Sequence, residues 1–425
     1  MYLVEQHRIY KDNSYFNLLD NFCFNAKNLY NNGLYYIRQY YFYQRNIKEG
    51  KPVDNLDIPN YVIDYMRDKG SYIDYYKLDY IAKQLNNSLT DDYKSLPLAS
   101  SAQSVLKQLH KNWLSFFKSL KKYNANSNGY TGRPKAPKYL DKKGRYILTL
   151  TNQNCKIKDN LIRFPTSFNG FTLKTKQDNL KEVRIIPKSN YYQIEVVYKR
   201  QEQPLKEDNQ KYLSVDLGVN NLAAITNNFN GEQWLIKGQP LKSINQYYNK
   251  NLAFYKSIAK KENKLYWTKK LQSLTQNRND RINTYLHKAS KQLVNLAVSY
   301  GVSKIIIGYN EGWKQEVDLG KKTNQNFVSI PFDTFINYVN YKARLQGIEV
   351  IKVEESYTSG TDFLAKEMPT QENYNKSRRI KRGLFKSNTK RLLNSDVNGS
   401  YQILKKYLKE NYIVTPNNLR VLQIV

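Results

Sequence analysis

The chain is 425 residues long and carries 68 Lys and Arg against 36 Asp and Glu, a formal net charge of +32. An excess of that size repels itself unless a polyanion neutralises it, so nucleic acid is the expected partner. Two cysteines, Cys23 and Cys155, exclude a disulfide framework and a four-thiolate zinc site. No run approaches the ~20 apolar residues of a membrane span, and Met1 to Asp12 lacks the apolar core of a signal peptide. The expectation is a soluble cytoplasmic protein, bacterial or phage and nucleoid-associated, with both thiols buried.

Residues 2–9 read as a short strand. From Phe16 to about Tyr43 the apolar positions (Phe16, Leu19, Phe22, Leu29, Leu34, Ile37, Tyr41) have helical spacing. Asn60–Asp68, Asp74–Asn86 and Leu96–Leu120 continue as helices between Pro, Gly and Asn punctuation, so this region is a helical module. The stretch from Tyr123 to Tyr139 is rich in Asn, Gly, Pro and Lys and reads as a basic loop. Strand-like alternation follows over 145–200, as in Tyr146–Leu150, Leu161–Phe164 and Tyr191–Tyr198. An N-terminal strand joined to this set suggests a small β-barrel interrupted by the helical module. From 211 the pattern becomes three strands (212–216, 222–226, 233–237), a long basic helical stretch at about 244–300, the strand Lys304–Gly308, a helix from Phe332 to Gln346, the strand Ile348–Glu354 and a helix from Asp396 to about Glu410. Three strands followed by alternating helices and strands is the RNase H order.

Charge is uneven along this order. Residues 1–125 hold 17 basic and 12 acidic residues, leaving 51 and 24 for residues 126–425. The basic surface therefore belongs mainly to the later region. Tyrosine is abundant, at 38 residues. A ring beside a cation offers bases a stacking face worth roughly 1–3 kcal/mol, although an AT-rich coding sequence would enrich Tyr and Asn as well.

Within the basic region, Ser214-Val215-Asp216-Leu217-Gly218 is an apolar strand that ends on a carboxylate. Asn394-Ser395-Asp396-Val397-Asn398-Gly399 puts a second aspartate at a helix start. Either alone is ordinary turn or cap chemistry. Together, in this order, they match the way RNase H-like nucleases hold two metal ions. None of His7, His110 and His287 lies near these motifs, so a histidine-based nuclease is not indicated.

Asp216-Leu217-Gly218-Val219-Asn220-Asn221, Tyr341-Lys342-Ala343 before Gly347-Ile348-Glu349-Val350, Ser356-Tyr357-Thr358-Ser359 and Asp396-Val397-Asn398-Gly399 resemble the successive RuvC motifs of transposon-encoded TnpB proteins, relatives of the compact type V CRISPR effector nucleases. The likeness covers about 211–410 well and residues 1–210 in layout only. It implies a multidomain α+β chain: a wedge β-barrel split into 1–12 and 123–207, a helical recognition lobe inserted at 13–122, and an RNase H-like (RuvC) nuclease domain over 208–425 with a basic insert at about 360–395. It implies a monomeric, RNA-guided DNA endonuclease whose guide RNA pairs with one strand of a double-stranded DNA target and whose protein reads a short flanking motif. A guide-directed repressor without cleavage, and a RuvC-like recombinase or transposase without RNA, remain alternatives.

Two departures from the family pattern matter. The fourth strand, Ile305-Ile306-Ile307-Gly308, has glycine where the family carries a catalytic glutamate. Glu311 follows in the Glu311–Gln315 loop, but the adjacent strand ends in Val353-Glu354-Glu355 and could supply the carboxylate instead. Strand side chains alternate faces, so one of the two glutamates should face Asp216, with Glu355 favoured over Glu354. The resemblance then implies that Asp216, Glu355 and Asp396 hold two Mg2+ ions. Secondly, residues 360–395 contain neither Cys nor His, so the zinc finger of many relatives is excluded and no zinc is expected. Between Asn373 and Ser395 the chain has eight basic residues and no acid. Of these, Arg378, Arg379, Lys381 and Arg382 are candidates for guiding a nucleic-acid strand by its phosphates. Arg133, Lys135 and Lys138 are candidates for contacting duplex or guide. Trp313 and Phe327 read as packing residues.

Overall fold

The structure, a computed structural model, describes residues 1–425 except 52–58, 61, 63, 65–71, 89, 263–266, 311–324, 326–327, 382, 410–413 and 425. Most of the helix expected at 60–68 therefore lies outside the described residues, and 60, 62 and 64 are helical. The chain divides into two compact units, Met1–Arg200 and Gln201–Val425. Among the described residues no helix is long and apolar enough to cross a membrane.

In the first unit, β1 (Tyr2–Tyr10) pairs antiparallel along its whole length with β7 (Tyr191–Lys199), Tyr2 opposite Lys199 and Tyr10 opposite Tyr191. With β6 (Leu180–Pro187) and β2 (Leu148–Thr151) they form a four-stranded sheet in the order β1-β7-β6-β2. The strands β3 (Lys156–Lys158), β4 (Leu161–Arg163) and β5 (Thr172–Lys174) make a separate three-stranded sheet. Helices α1 (Phe16–Lys48), α2 (Tyr75–Ser88) and α3 (Ala99–Ala125) lie between β1 and β2 in sequence. Their apolar faces, including Leu19, Leu29, Leu34 and Ile37 of α1 and Leu106, Leu109 and Trp113 of α3, share one core with Leu148, Val183, Ile185 and Ile194 of the sheet. That shared core is why the first strand can sit so far in sequence from its partner: the helices between them pack on the sheet they interrupt. Cys23 and Cys155 are buried and free, and burial pushes the Cys155 thiol up to about 12.

In the second unit, the strands β8 (Tyr212–Leu217), β9 (Asn221–Asn227) and β10 (Gln233–Lys237) form an antiparallel meander. β11 (Lys304–Gly308) is parallel to β8, and β12 (Glu349–Val353) is parallel to β11. β13 (Leu384–Lys386) and β14 (Leu392–Asn394) make a small antiparallel hairpin inside the basic insert. A short β15 (Leu419–Val421), which the sequence pattern does not predict, lies parallel to β10 at the far edge. Six of these strands form one sheet in the order β12-β11-β8-β9-β10-β15. The expected basic helical stretch is two helices, α4 (Gln239–Glu262) and α5 (Lys269–Ser299).

Period-two alternation sorts this sheet into two faces. Leu213, Val215, Ile225, Ile305 and Ile307 pack with Leu286 and Leu293 of α5 and with Phe335 and Val339 of α6 (Phe332–Arg344). The opposite face, including Tyr212, Ala224, Leu235 and Ile306, packs with Val397, Tyr401, Ile403 and Leu404 of α7 (Ser395–Leu408). α7 approaches closely through small polar groups: Ser214 Oγ donates to the Ser400 carbonyl at 2.7 Å, Ser400 Oγ to the Ser214 carbonyl at 3.0 Å, and Thr226 Oγ1 lies 2.9 Å from Ser400 Oγ. The parity of β8 puts Asp216 on this α7 face.

Candidate functional site

At the N-terminus of α7 the cap is Asn394, whose side chain accepts from the Asp396 and Val397 amides at 2.9 and 3.2 Å. The Asp396 carboxylate is thus free of capping and accepts from Asn221 Nδ2 at 2.9 Å. One turn further on, a Cβ at Gly399 would stand 2.8 Å from Asp216 Oδ2. Only glycine lets the helix backbone press against that aspartate.

Glu355 arrives from the sheet edge. β11 and β12 are in register to Gly308 opposite Val353, and the Tyr309 amide donates to the Val353 carbonyl at 2.9 Å. The Glu355 amide then donates to Asn310 Oδ1 at 3.1 Å. Its carboxylate crosses over the end of β11: a Cβ at Gly308 would lie 2.8 Å from Glu355 Oε2 and 2.4 Å from Ile403 Cδ1. Glycine on the fourth strand and a glutamate after the fifth are therefore two halves of one arrangement. Glu354, the other candidate on this strand end, is placed differently. Its carboxylate is more than half exposed, pairs with Lys406 and accepts from the Ser356 amide at 2.9 Å. Glu311, Trp313 and Phe327 lie outside the described residues.

Two carboxylates from two other elements thus act on Asp216. Burial first, then the charges of Glu355 and Asp396, raise the Asp216 carboxyl well above its usual range, while Arg379 pulls it down. Burial, then the Glu354 charge, pushes Glu355 up to about 7. Among the described residues, no three His, Cys, Asp or Glu side chains stand in ready-made ligand geometry. The donor set nonetheless suits a hard divalent cation. Among the described residues Glu355 Oε2 is buried with no hydrogen-bond partner, and it shares a cavity of about 410 Å3 with Asp216, Asn310, Ser356, Tyr357, Thr358, Ser359 and Tyr374. Sequence reasoning does not single out Asn221 and Asn310. Their one signal is adjacency to two strand ends.

The basic segment leading into α7 is ordered by its own polar contacts. Buried Asp362 accepts from Ser387 Oγ at 2.8 Å and from the Asn388 amide at 2.7 Å. Lys405 Nζ donates to the Glu367 carbonyl at 3.0 Å, and Phe363 stacks on Tyr401 with ring centroids 4.3 Å apart. Arg378 is paired: both ends of its guanidinium fork donate to Glu367, at 2.6 and 2.7 Å, and its side chain is 12% exposed. It holds the insert together rather than facing outward. Arg379 and Lys381 are exposed, and the charge of Arg379 reaches Asp216. Arg382 lies outside the described residues.

In the first unit, Arg133, Lys135 and Lys138 are exposed on an irregular segment. That segment is tied to one face of α1. Arg38 donates to the Pro137 carbonyl at 2.8 Å, Asn31 exchanges two bonds with the Leu140 backbone, and Lys27 donates to the Lys142 carbonyl at 2.9 Å.

Residues 195–314 match the family model OrfB_IS605, described as a probable transposase, and residues 332–403 match the TNB domain of Cas12f1-like proteins. No curated protein matches the chain. Similar solved structures include a Cas12f1-sgRNA-target DNA complex (14% identity over 94% of this chain and 98% of that one, TM-score 0.36) and a CRISPR-Cas12f ternary complex (14%, 91% and 80%, TM-score 0.35). Another is C2c1 from Alicyclobacillus acidoterrestris in complex with single-guide RNA (9%, 81% and 65%, TM-score 0.39). The transposase-type and Cas12f1-type regions follow each other along the sheet, Glu355 and α7 just described, so over these two stretches the chain is similar to TnpB-type transposases and to the compact type V effectors.

Proposed function

We propose that the chain is an RNA-guided, Mg2+-dependent DNA endonuclease, with 208–425 an RNase H-like (RuvC) nuclease domain. The observation that carries this reading is the meeting of Asp216, Glu355 and Asp396 on the α7 face, with one buried Glu355 oxygen left without a partner among the described residues. In this reading the two sheets of residues 1–200 are the wedge barrel and the inserted helices a recognition lobe. The protein acts as a monomer, guide RNA pairs with one strand of duplex DNA, and Arg133, Lys135 and Lys138 contact duplex or guide near a short flanking motif.

Bound Mg2+ would supply an activated water and counter-charge for the pentacovalent phosphorane. The chain's part is to hold three hard-oxygen groups in place. Asp216 is fixed by the strand and by Gly399, Asp396 by Asn221, and Glu355 by Asn310. Arg379 and Lys381 hold the phosphates of the strand being cut. Gly308 taken alone would favour a non-cleaving binder, and a glutamate reaching across that glycine weighs against it. The test is to purify the full chain, sequence any RNA that accompanies it, and assay cleavage of a matching duplex in Mg2+. Wild type should cut, and Asp216→Ala and Asp396→Ala should lose cutting while keeping the RNA. Retained cutting in either variant overturns the assignment.

A further inference from the structure

Two tyrosines at the rim of the carboxylate cavity have no part in the chemistry above. Tyr357 and Tyr374 line the same cavity as Asp216 and Glu355, and both are exposed, at 41% and 38%. Tyr357 has φ +68, in the left-handed region that a bulky residue seldom enters. Such a conformation persists only where its surroundings over-determine it, and it is a pointer to function. Here the surroundings are on either side of it: the Thr358 amide and Oγ1 both donate to the Glu355 carbonyl, at 3.3 and 2.8 Å, and Thr361 Oγ1 donates to the Tyr357 carbonyl at 2.9 Å. The strained turn thereby fixes the Tyr357 ring two residues from the Glu355 carboxylate.

Tyr374 braces it. The two ring centroids are 6.0 Å apart at 70°, an edge contact that leaves no slot for a base between them. Tyr374 itself is seated over Gly360, where a Cβ would lie 2.5 Å from Cε2, and the Asn375 amide donates to the Gly360 carbonyl at 3.1 Å. The pair therefore presents an exposed ring, held from behind, beside a half-buried cluster of carboxylates.

We infer that Tyr357, braced by Tyr374, is a substrate-positioning residue that stacks on the nucleobase next to the phosphate to be cut. This deepens, and rests on, the nuclease reading. A base inside a duplex has both faces covered, so the platform serves a strand whose local base is unstacked. Base–aromatic stacking is indifferent to sequence, because every base has a π-face. The device therefore places the phosphate without adding base preference.

The test uses the full chain with its own guide RNA and compares wild type, Tyr357→Phe and Tyr357→Asn. The targets are intact, or carry a single abasic residue at successive positions around the cut. Asn tolerates the left-handed backbone, so it removes the ring without adding strain, and a thermal melt checks that it folds. Tyr357→Phe should cut like wild type. Tyr357→Asn should slow by about tenfold or more, the order of one stacking interaction. An abasic residue at one position should slow wild type by a similar factor and leave Tyr357→Asn unchanged. Equal rates for Asn and wild type, or an abasic penalty that is the same in both, overturn the inference. A wild type that never cuts an intact target overturns the nuclease reading, and the inference with it.

Discussion

A carboxylate placed after the fifth strand must reach across to Asp216 at the end of the first, and its path passes over the end of the fourth. Gly308 leaves that path open. An alanine there would bring a Cβ to 2.8 Å from Glu355 Oε2 and 2.4 Å from buried Ile403 Cδ1, overpacking that typically costs about 1–3 kcal/mol. Gly308→Ala should therefore cut far more slowly than wild type while its melting temperature falls by roughly 2–12 °C. Glu355→Gln should lose cutting with no fall in stability, since it also removes the repulsion with Asp216. Glu354→Gln should stay within a few-fold of wild type, because the exposed pair with Lys406 contributes at most about 1 kcal/mol. Single-turnover rates with parallel thermal melts check all three. The reverse ranking of the two glutamates would show that the carboxylate facing Asp216 is not the working one.

At the scale of elements, the insert between β12 and α7 separates its basic residues into two tasks. Arg378 is closed in a two-point clamp on Glu367, and removing it leaves a mostly buried carboxylate uncompensated, a destabilisation of about 3 kcal/mol. Arg378→Ala should lower the melting temperature of the Gln201–Val425 unit. Arg379 and Lys381 face solvent, so Arg379→Ala combined with Lys381→Ala should leave stability unchanged and weaken cutting of every target alike. The salt dependence of DNA binding should flatten by about 0.7–0.9 in slope for each phosphate that is no longer neutralised. A less stable double variant, or a changed flanking-motif preference, would place these residues in the scaffold or in base reading instead.

Across the whole molecule, each compact unit has its own hydrophobic core: one cluster runs from Ile9 to Val196, and the others lie between Tyr212 and Leu404. All three site carboxylates belong to the second. Calorimetry of RNA-free protein should resolve two unfolding components, and Mg2+ should raise only the one belonging to 201–425. At a hundredfold excess over the dissociation constant the gain is about 2.7 kcal/mol, or a rise of roughly 5–10 °C for a unit of this size. Asp216→Ala should abolish the rise. A shift in the other component, or none in wild type, would count against the metal site. The net charge of +32 acts differently from the site, as a long-range term that salt screens and that favours any polyanion alike.

Local patterns in the chain are enough to build the elements around the site. The apolar run of β8, the isoleucine run of β11 with its bounds at Lys304 and Gly308, and the asparagine and aspartate opening α7 can all be read without the fold, because strands, caps and turns are set by near neighbours. Alternation along a strand, also a local rule, narrows the third carboxylate to a pair of adjacent residues. Which groups are matched with which is a tertiary matter. Arg378 is indistinguishable from Arg379 in a string of eight cations, and one closes on Glu367 while the other faces outward. Glu354 and Glu355 differ by one position, and the packing of β12 against β11 sends them to Lys406 and to Asp216. The parallel β15, whose Val421 pairs with Leu235, is likewise a long-range product: its three residues show no usable period until β10 offers them an edge.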